Sequence, residues 1–132
     1  MPGIVVGIDE SANSRSALAW AISEAAAHHA PLTVLTVHDE NQLAAAKAAA
    51  TELTDKAVAE LGGAGPASVT VTAVHGHAAD ELLAAAADAE MLVLGARGGP
   101  VAGGLAAHSP VGSVSSKVLH RAKCPVVVIP AR

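Results

Sequence analysis

The sequence predicts an α/β fold, a single doubly wound parallel sheet of five strands with four helices, and three observations carry that expectation. Short Val/Ile/Leu runs alternate with longer Ala-rich segments whose apolar residues recur at helical spacing, a βαβα pattern. Two of the runs, Ile4-Val5-Val6-Gly7-Ile8 and Met91-Leu92-Val93-Leu94, are continuously apolar, as strands covered by helices on both faces must be. At 132 residues, against about 150 for a typical domain, the chain has room for one domain spanning residues 1–132.

The first run stops at Asp9, and Ser11 or Ser14 is placed to cap a helix whose apolar stripe is Leu18, Ala21, Ile22 and Ala25. His28 and His29 stand in its last turn. Residues 32–37 form the second strand, and after His38-Asp39-Glu40 a second helical pattern puts Leu43, Ala46, Ala50, Leu53, Ala57, Val58 and Leu61 on one side until Gly62-Gly63 ends it. Residues 69–74 alternate apolar side chains with Thr, the period of a half-exposed strand, which assigns them to a sheet edge. A short helix near residues 79–87 precedes the fourth strand, which runs into Gly95-Ala96-Arg97-Gly98. Beyond a Gly/Pro-rich loop reaching Val111, a helix over Ser113–Arg121 leads to the last strand, Val126–Ile129. Right-handed parallel crossovers make a Rossmann-like, doubly wound sheet the natural assembly of these pieces.

Composition narrows the function. Of the 68 hydrophobic residues 32 are Ala, and Trp20 is the lone aromatic, so the core is built from Val, Leu and Ile, with Ala letting elements approach closely. A net charge of −4 and a near-absence of aromatics to stack bases argue against nucleic acid as a partner. No apolar run nears the ~20 residues of a membrane span, and Met1-Pro2-Gly3 carries no basic leader. The single Cys124 cannot close an internal bridge and suits a reducing interior, so a cytoplasmic location is expected.

In an open parallel sheet, ligands bind outside the carboxyl ends of the strands, which here are followed by Asp9, His38, His75-Gly76 and Gly95 to Gly98. Glycines at 95 and 98 let backbone approach a phosphate, and Gly112-Ser113 opens a helix whose first N–H groups favour an anion. The alternative for these glycines is tight turns alone. Asp9 stands either as a Mg²⁺ ligand near a phosphate or as a cap for the helix after the first strand. His38, His75 and His77 fall at neighbouring strand ends, but no Cys or carboxylate joins them at ligand spacing, so they read as polar rim residues rather than a structural metal site. Lys117 lies inside a helix as a solvated side chain, and no Walker sequence is present. Cys124, before Pro125, reads as a small hydrophobe, and Ser113, Ser115 and His120 lack the turn of a nucleophile elbow.

From Ile4-Val5-Val6-Gly7-Ile8-Asp9 with its downstream Ser and Ala-Leu-Ala-Trp helix, through Val74-His75-Gly76, to Gly95-Ala96-Arg97-Gly98, Gly112-Ser113-Val114-Ser115 and Cys124-Pro125-Val126-Val127-Val128, the chain resembles the universal stress protein family over essentially its whole length. The resemblance implies strand order 3-2-1-4-5 and an adenine nucleotide between the first and fourth strands: ATP, AMP or cyclic AMP, with Mg²⁺ reached through the nucleotide and Asp9. Carried over by motif, Gly7 and the backbone of Val37 flank the adenine, Asp9 faces the ribose, Gly95, Arg97 and Gly98 line ribose and phosphates, and Gly112, Ser113, Val114 and Ser115 hold the phosphates. It also implies a homodimer through Val126–Ile129. The nucleotide-binding branch has nine residues between its second and third motif glycines, whereas residues 99–111 number thirteen, so the phosphate loop here is four residues longer. The segment between the second strand and second helix is also shorter than is common in the family, which leaves the adenine less covered. The expected function is a stress-response module that binds adenine nucleotide with little or no hydrolysis, since no general base, nucleophile or lysine is placed by motif. The alternative is a homodimeric interaction module of the same fold that binds no nucleotide, a reading favoured by the longer loop.

Overall fold

The computed structural model describes residues 3–9, 12–96 and 113–130. Five parallel strands, β1 (Ile4–Ile8), β2 (Pro31–Val37), β3 (Ser68–Val74), β4 (Met91–Gly95) and β5 (Val126–Ile129), lie in the order β3-β2-β1-β4-β5. Four helices connect them: α1 (Ala12–His28), α2 (Leu43–Leu61), α3 (Ala78–Ala85) and α4 (Ser113–Arg121). The chain walks outward from β1 to β3, then returns to the far side of β1 for β4 and β5. Right-handed crossovers therefore send α1 and α2 to one face of the sheet and α3 and α4 to the other.

Alternate residues of the central strands feed the two cores. Ile4, Val6 and Ile8 pack with Leu18, Ala21, Ile22 and Ala25 of α1 and Ala50 of α2, which is the stripe the helical spacing predicts. Val5, Leu35, Leu92 and Leu94 pack on the other face with Ala79, Leu82 and Ala86 around α3 and Val118 of α4. Ala17, Ala21 and Ala25 of α1 are fully covered, and that lets the helix lie close on the sheet.

Several local expectations change. Because α1 begins at Ala12, Ser14 is not its cap: it sits in the first turn with its hydroxyl turned back toward Asp9, while Ser11 lies outside the described residues. Leu53, Ala57, Val58 and Leu61 of α2 are only partly buried, whereas Thr54 between them is 1% exposed. A buried hydroxyl is tolerated there because it donates to the Ala50 carbonyl at 2.7 Å, one turn back. Gly62 and Gly63, at φ +69° and +73°, end that helix as expected. A single 3₁₀ turn, Glu40–Gln42, which the apolar pattern does not reveal, fills the short link into α2. The edge assignment of β3 holds, and Ser68, Val69 and Thr70 are exposed.

Candidate functional site

All four helices run back across the sheet, so their N-termini gather at the carboxyl ends of the strands. The sheet itself opens there. Pairing of β1 with β4 reaches only Val6↔Val93, while β1–β2 pairing continues to Ile8↔Thr36 and β4–β5 pairing to Gly95↔Ile129. The two central strands thus part where the chain order reverses, the place at which open α/β sheets form their ligand crevices. The outer ladders run on past the opening: after β2 the His38 N–H donates to Val74 O of β3 at 2.9 Å, and after β4 the Ala96 N–H donates to Ile129 O of β5 at 2.8 Å.

Asp9 forms the β1 side of the crevice and is exposed. Its N–H donates to Ser14 Oγ at 2.7 Å, and that hydroxyl donates to Asp9 Oδ1 at 2.8 Å, a closed ring that fixes the carboxylate against the first turn of α1. Gly95 ends β4 on the other side. A β-carbon there would lie 2.8 Å from the Asn13 carbonyl oxygen, so the glycine has a packing reason of its own: it lets α1 close on β4. Asn13 uses that closeness, its Nδ2 donating to the Ala96 carbonyl at 2.6 Å.

Gly7 is half-buried, and the side on which it lacks a β-carbon is filled by Leu82 and Leu94. Val37, the last residue of β2, is half-buried and pairs with Val74, one strand outward from the end of β1. In α4, Ser115 is 5% exposed and Val114 is 37% exposed. Arg97, Gly98 and Gly112 lie outside the described residues, as does the side chain of Ser113, whose backbone begins α4.

Two of the histidines at the strand ends bond a threonine hydroxyl and the backbone. His38 Nε2 is 2.9 Å from Thr36 Oγ1, and His75 donates from Nδ1 to the His38 carbonyl at 3.2 Å. Among the described residues no group of three or more His, Cys, Asp or Glu is placed to hold a metal ion. Lys117 points to α3, 3.5 Å from Asp80 Oδ1, with Arg121 at 3.7 Å from the same oxygen. Both pairs are about half exposed, so they count for little in stability. His120 bonds the Ser116 carbonyl one turn back, at 2.8 Å, rather than a serine hydroxyl. No helix among the described residues is long and apolar enough to cross a membrane.

Sequence reasoning missed Asn13. Its partner is 83 positions away, and no local spacing marks such a contact.

Comparison with known proteins agrees with this geometry. The model of the Universal stress protein family matches residues 2–130. Universal stress protein Rv2005c of Mycobacterium tuberculosis is 34% identical over 149 residues, covering 96% of this chain and 47% of that protein, so the chain spans about half the length of the curated relatives it matches. Among solved structures, a universal stress protein in complex with cAMP superposes with a TM-score of 0.74 at 26% identity, covering 98% of this chain and 96% of that one. The universal stress protein from Archaeoglobus fulgidus in complex with dAMP shares the fold, with a TM-score of 0.69 at 21% identity over 98% of both chains. With its strand order, its parted central strands and a family match over nearly every residue, this chain belongs to the universal stress protein family.

Proposed function

We propose that this chain binds an adenine nucleotide in the crevice between β1 and β4 and serves as a stress-response module that reports nucleotide state rather than consuming the nucleotide. The observation that carries the reading is the parting of β1 and β4 after Val6↔Val93, with the fixed Asp9 carboxylate on one side and the Gly95-Ala96 backbone on the other. The 26%-identical neighbour was solved with cAMP, which supports adenosine as the shared element. In this reading Asp9 accepts from ribose hydroxyls and the Gly7 and Val37 backbones flank the adenine. Arg97, Gly98, Gly112, Ser113, Val114 and Ser115 meet the phosphates, aided by the positive N-terminal end of α4. Mg²⁺ commonly takes one or two carboxylates together with nucleotide phosphates. Asp9 fits that role as a single protein carboxylate, with the ion arriving on the nucleotide.

Efficient phosphoryl transfer needs an oriented water and cations on the γ-phosphate. Arg97 and Mg²⁺ are the cations of this reading, but Asp9 is engaged with Ser14 and Lys117 is turned to Asp80, so neither side chain is assigned to orient the water. Turnover is therefore expected below about one per second, against the roughly ten per second of a typical enzyme. Faster hydrolysis that is lost in Asp9→Ala would replace the sensor with an ATPase. The proposal includes a cytoplasmic homodimer formed along the β5 edge. The competing reading, a dimeric interaction module without nucleotide, draws on the thirteen residues at 99–111. Native mass spectrometry of the purified chain separates the two, since a copurifying mass of AMP, cAMP or ATP supports the first and a bare protein supports the second.

A further inference from the structure

The first turn of α1 grips both sides of the β1/β4 crevice with adjacent residues. Ser14 holds the β1 side through its two hydrogen bonds to Asp9, at 2.7 and 2.8 Å. Asn13 holds the β4 side, donating from Nδ2 to the Ala96 carbonyl at 2.6 Å. A carbonyl only accepts, so the amide nitrogen must be the atom that faces it. The contact is partly buried, and Ala96 is 7% exposed, so water competes poorly for that carbonyl. Gly95 makes the approach possible, because a β-carbon there would stand 2.8 Å from the Asn13 oxygen and 3.0 Å from its carbonyl carbon. A turn of helix with one side chain on each strand end fixes their separation more firmly than either loop would alone.

We infer that Asn13 is a positioning residue for the proposed nucleotide site: through Ala96 it sets the end of β4 against Asp9, the spacing that a ribose must fit. The inference rests on the reading of the crevice as an adenine-nucleotide site. Asn13 touches no ligand in this account and acts only through the Ala96 carbonyl.

Two variants test it. Asn13→Ala removes the donor. Asn13→Asp keeps the shape but puts a carboxylate oxygen against the Ala96 carbonyl, and the donor returns only when that carboxyl is protonated. Calorimetric titration of the full chain with ATP and Mg²⁺, well below the melting temperature, is expected to show both variants binding about tenfold more weakly near neutral pH, the scale of one lost, partly buried hydrogen bond. As pH falls toward about 5, where a carboxyl crowded by a carbonyl begins to protonate, Asn13→Asp should recover relative to wild type and Asn13→Ala should not. A purely structural role would lower both melting temperatures and leave the dissociation constants and their pH dependence unchanged, which would overturn the inference. Should Asn13→Ala fail to fold, the pH profile of Asn13→Asp decides alone. Wild type that binds no ATP, AMP or cAMP overturns the nucleotide reading and this inference with it, whereas equal binding by wild type and variants overturns only the role of Asn13.

Discussion

A β-carbon on Gly7 would stand 2.5 Å from Leu82 Cδ2 and 3.1 Å from Leu94 Cδ2, so β1 and α3 meet through a hydrogen where any other residue would carry a β-carbon. Leu82 is 5% exposed and packed among Val5, Leu35, Leu92 and Leu94, which leaves it little room to turn away. Gly7→Ala should therefore cost about 1–3 kcal/mol by overpacking. Leu82→Ala alone should cost about 2–5 kcal/mol. In the Leu82→Ala background the Gly7 substitution should cost well under 1 kcal/mol, because the obstructing methyls are gone. Urea unfolding followed by the fluorescence of Trp20, the lone aromatic, measures all three. Equal costs in both backgrounds would show that Leu82 is not what requires the glycine.

This pair also marks how far the sequence could be read. The unbroken runs at β1 and β4 identified the central strands, and the Thr alternation identified β3 as an edge, because burial on one or two faces leaves a direct trace in residue type. The stripe Leu18, Ala21, Ile22 and Ala25 was legible for the same reason. Asp9 and Gly95 could be marked as strand-end residues by position. What could not be read is which partner each one meets: Leu82 in front of Gly7, Asn13 behind Gly95, and Ser14 turned back rather than capping. Those contacts depend on the angle at which helices lie on the sheet, and single-sequence periodicity does not encode it. Thr54 was missed because its hydroxyl is satisfied within its own helix, so its type gives no hint of its burial.

Strand β5 is an edge whose four residues, Val126–Ile129, are all half-buried and strongly β-forming. An uncovered apolar edge invites pairing. The chain is expected to be a homodimer, and Val127→Lys or Val127→Pro should yield monomer or insoluble protein. Multi-angle light scattering at tens of micromolar checks this. A monodisperse wild-type monomer would contradict the dimer.

Burial pushes the Cys124 thiol above its ordinary value. The side chain packs against the core under α3 and α4 and, with Leu83 and Ala122, lines a hollow of about 260 Å³. The folded value exceeds the unfolded one, so stability from this group is intact below the ordinary thiol range and is lost as pH rises through the raised folded value. Iodoacetamide should accordingly modify the native protein more slowly than it modifies glutathione at the same pH. Cys124→Ala should flatten the alkaline fall in melting temperature. A native thiol that reacts faster than glutathione would contradict the assignment of Cys124 as an inert packing residue.

The most direct test of the central claim is the melting temperature of the chain with ATP and Mg²⁺, measured for wild type and Asp9→Ala. A ligand at 100 times its dissociation constant adds about 2.7 kcal/mol, which for a domain of this size corresponds to a rise of roughly 5–10 °C. The account predicts that rise for wild type and its loss in Asp9→Ala, whose carboxylate is held at the β1 side of the crevice by Ser14. An unchanged wild-type melting temperature at millimolar ATP, AMP and cAMP would contradict nucleotide binding and leave the dimeric interaction module in its place.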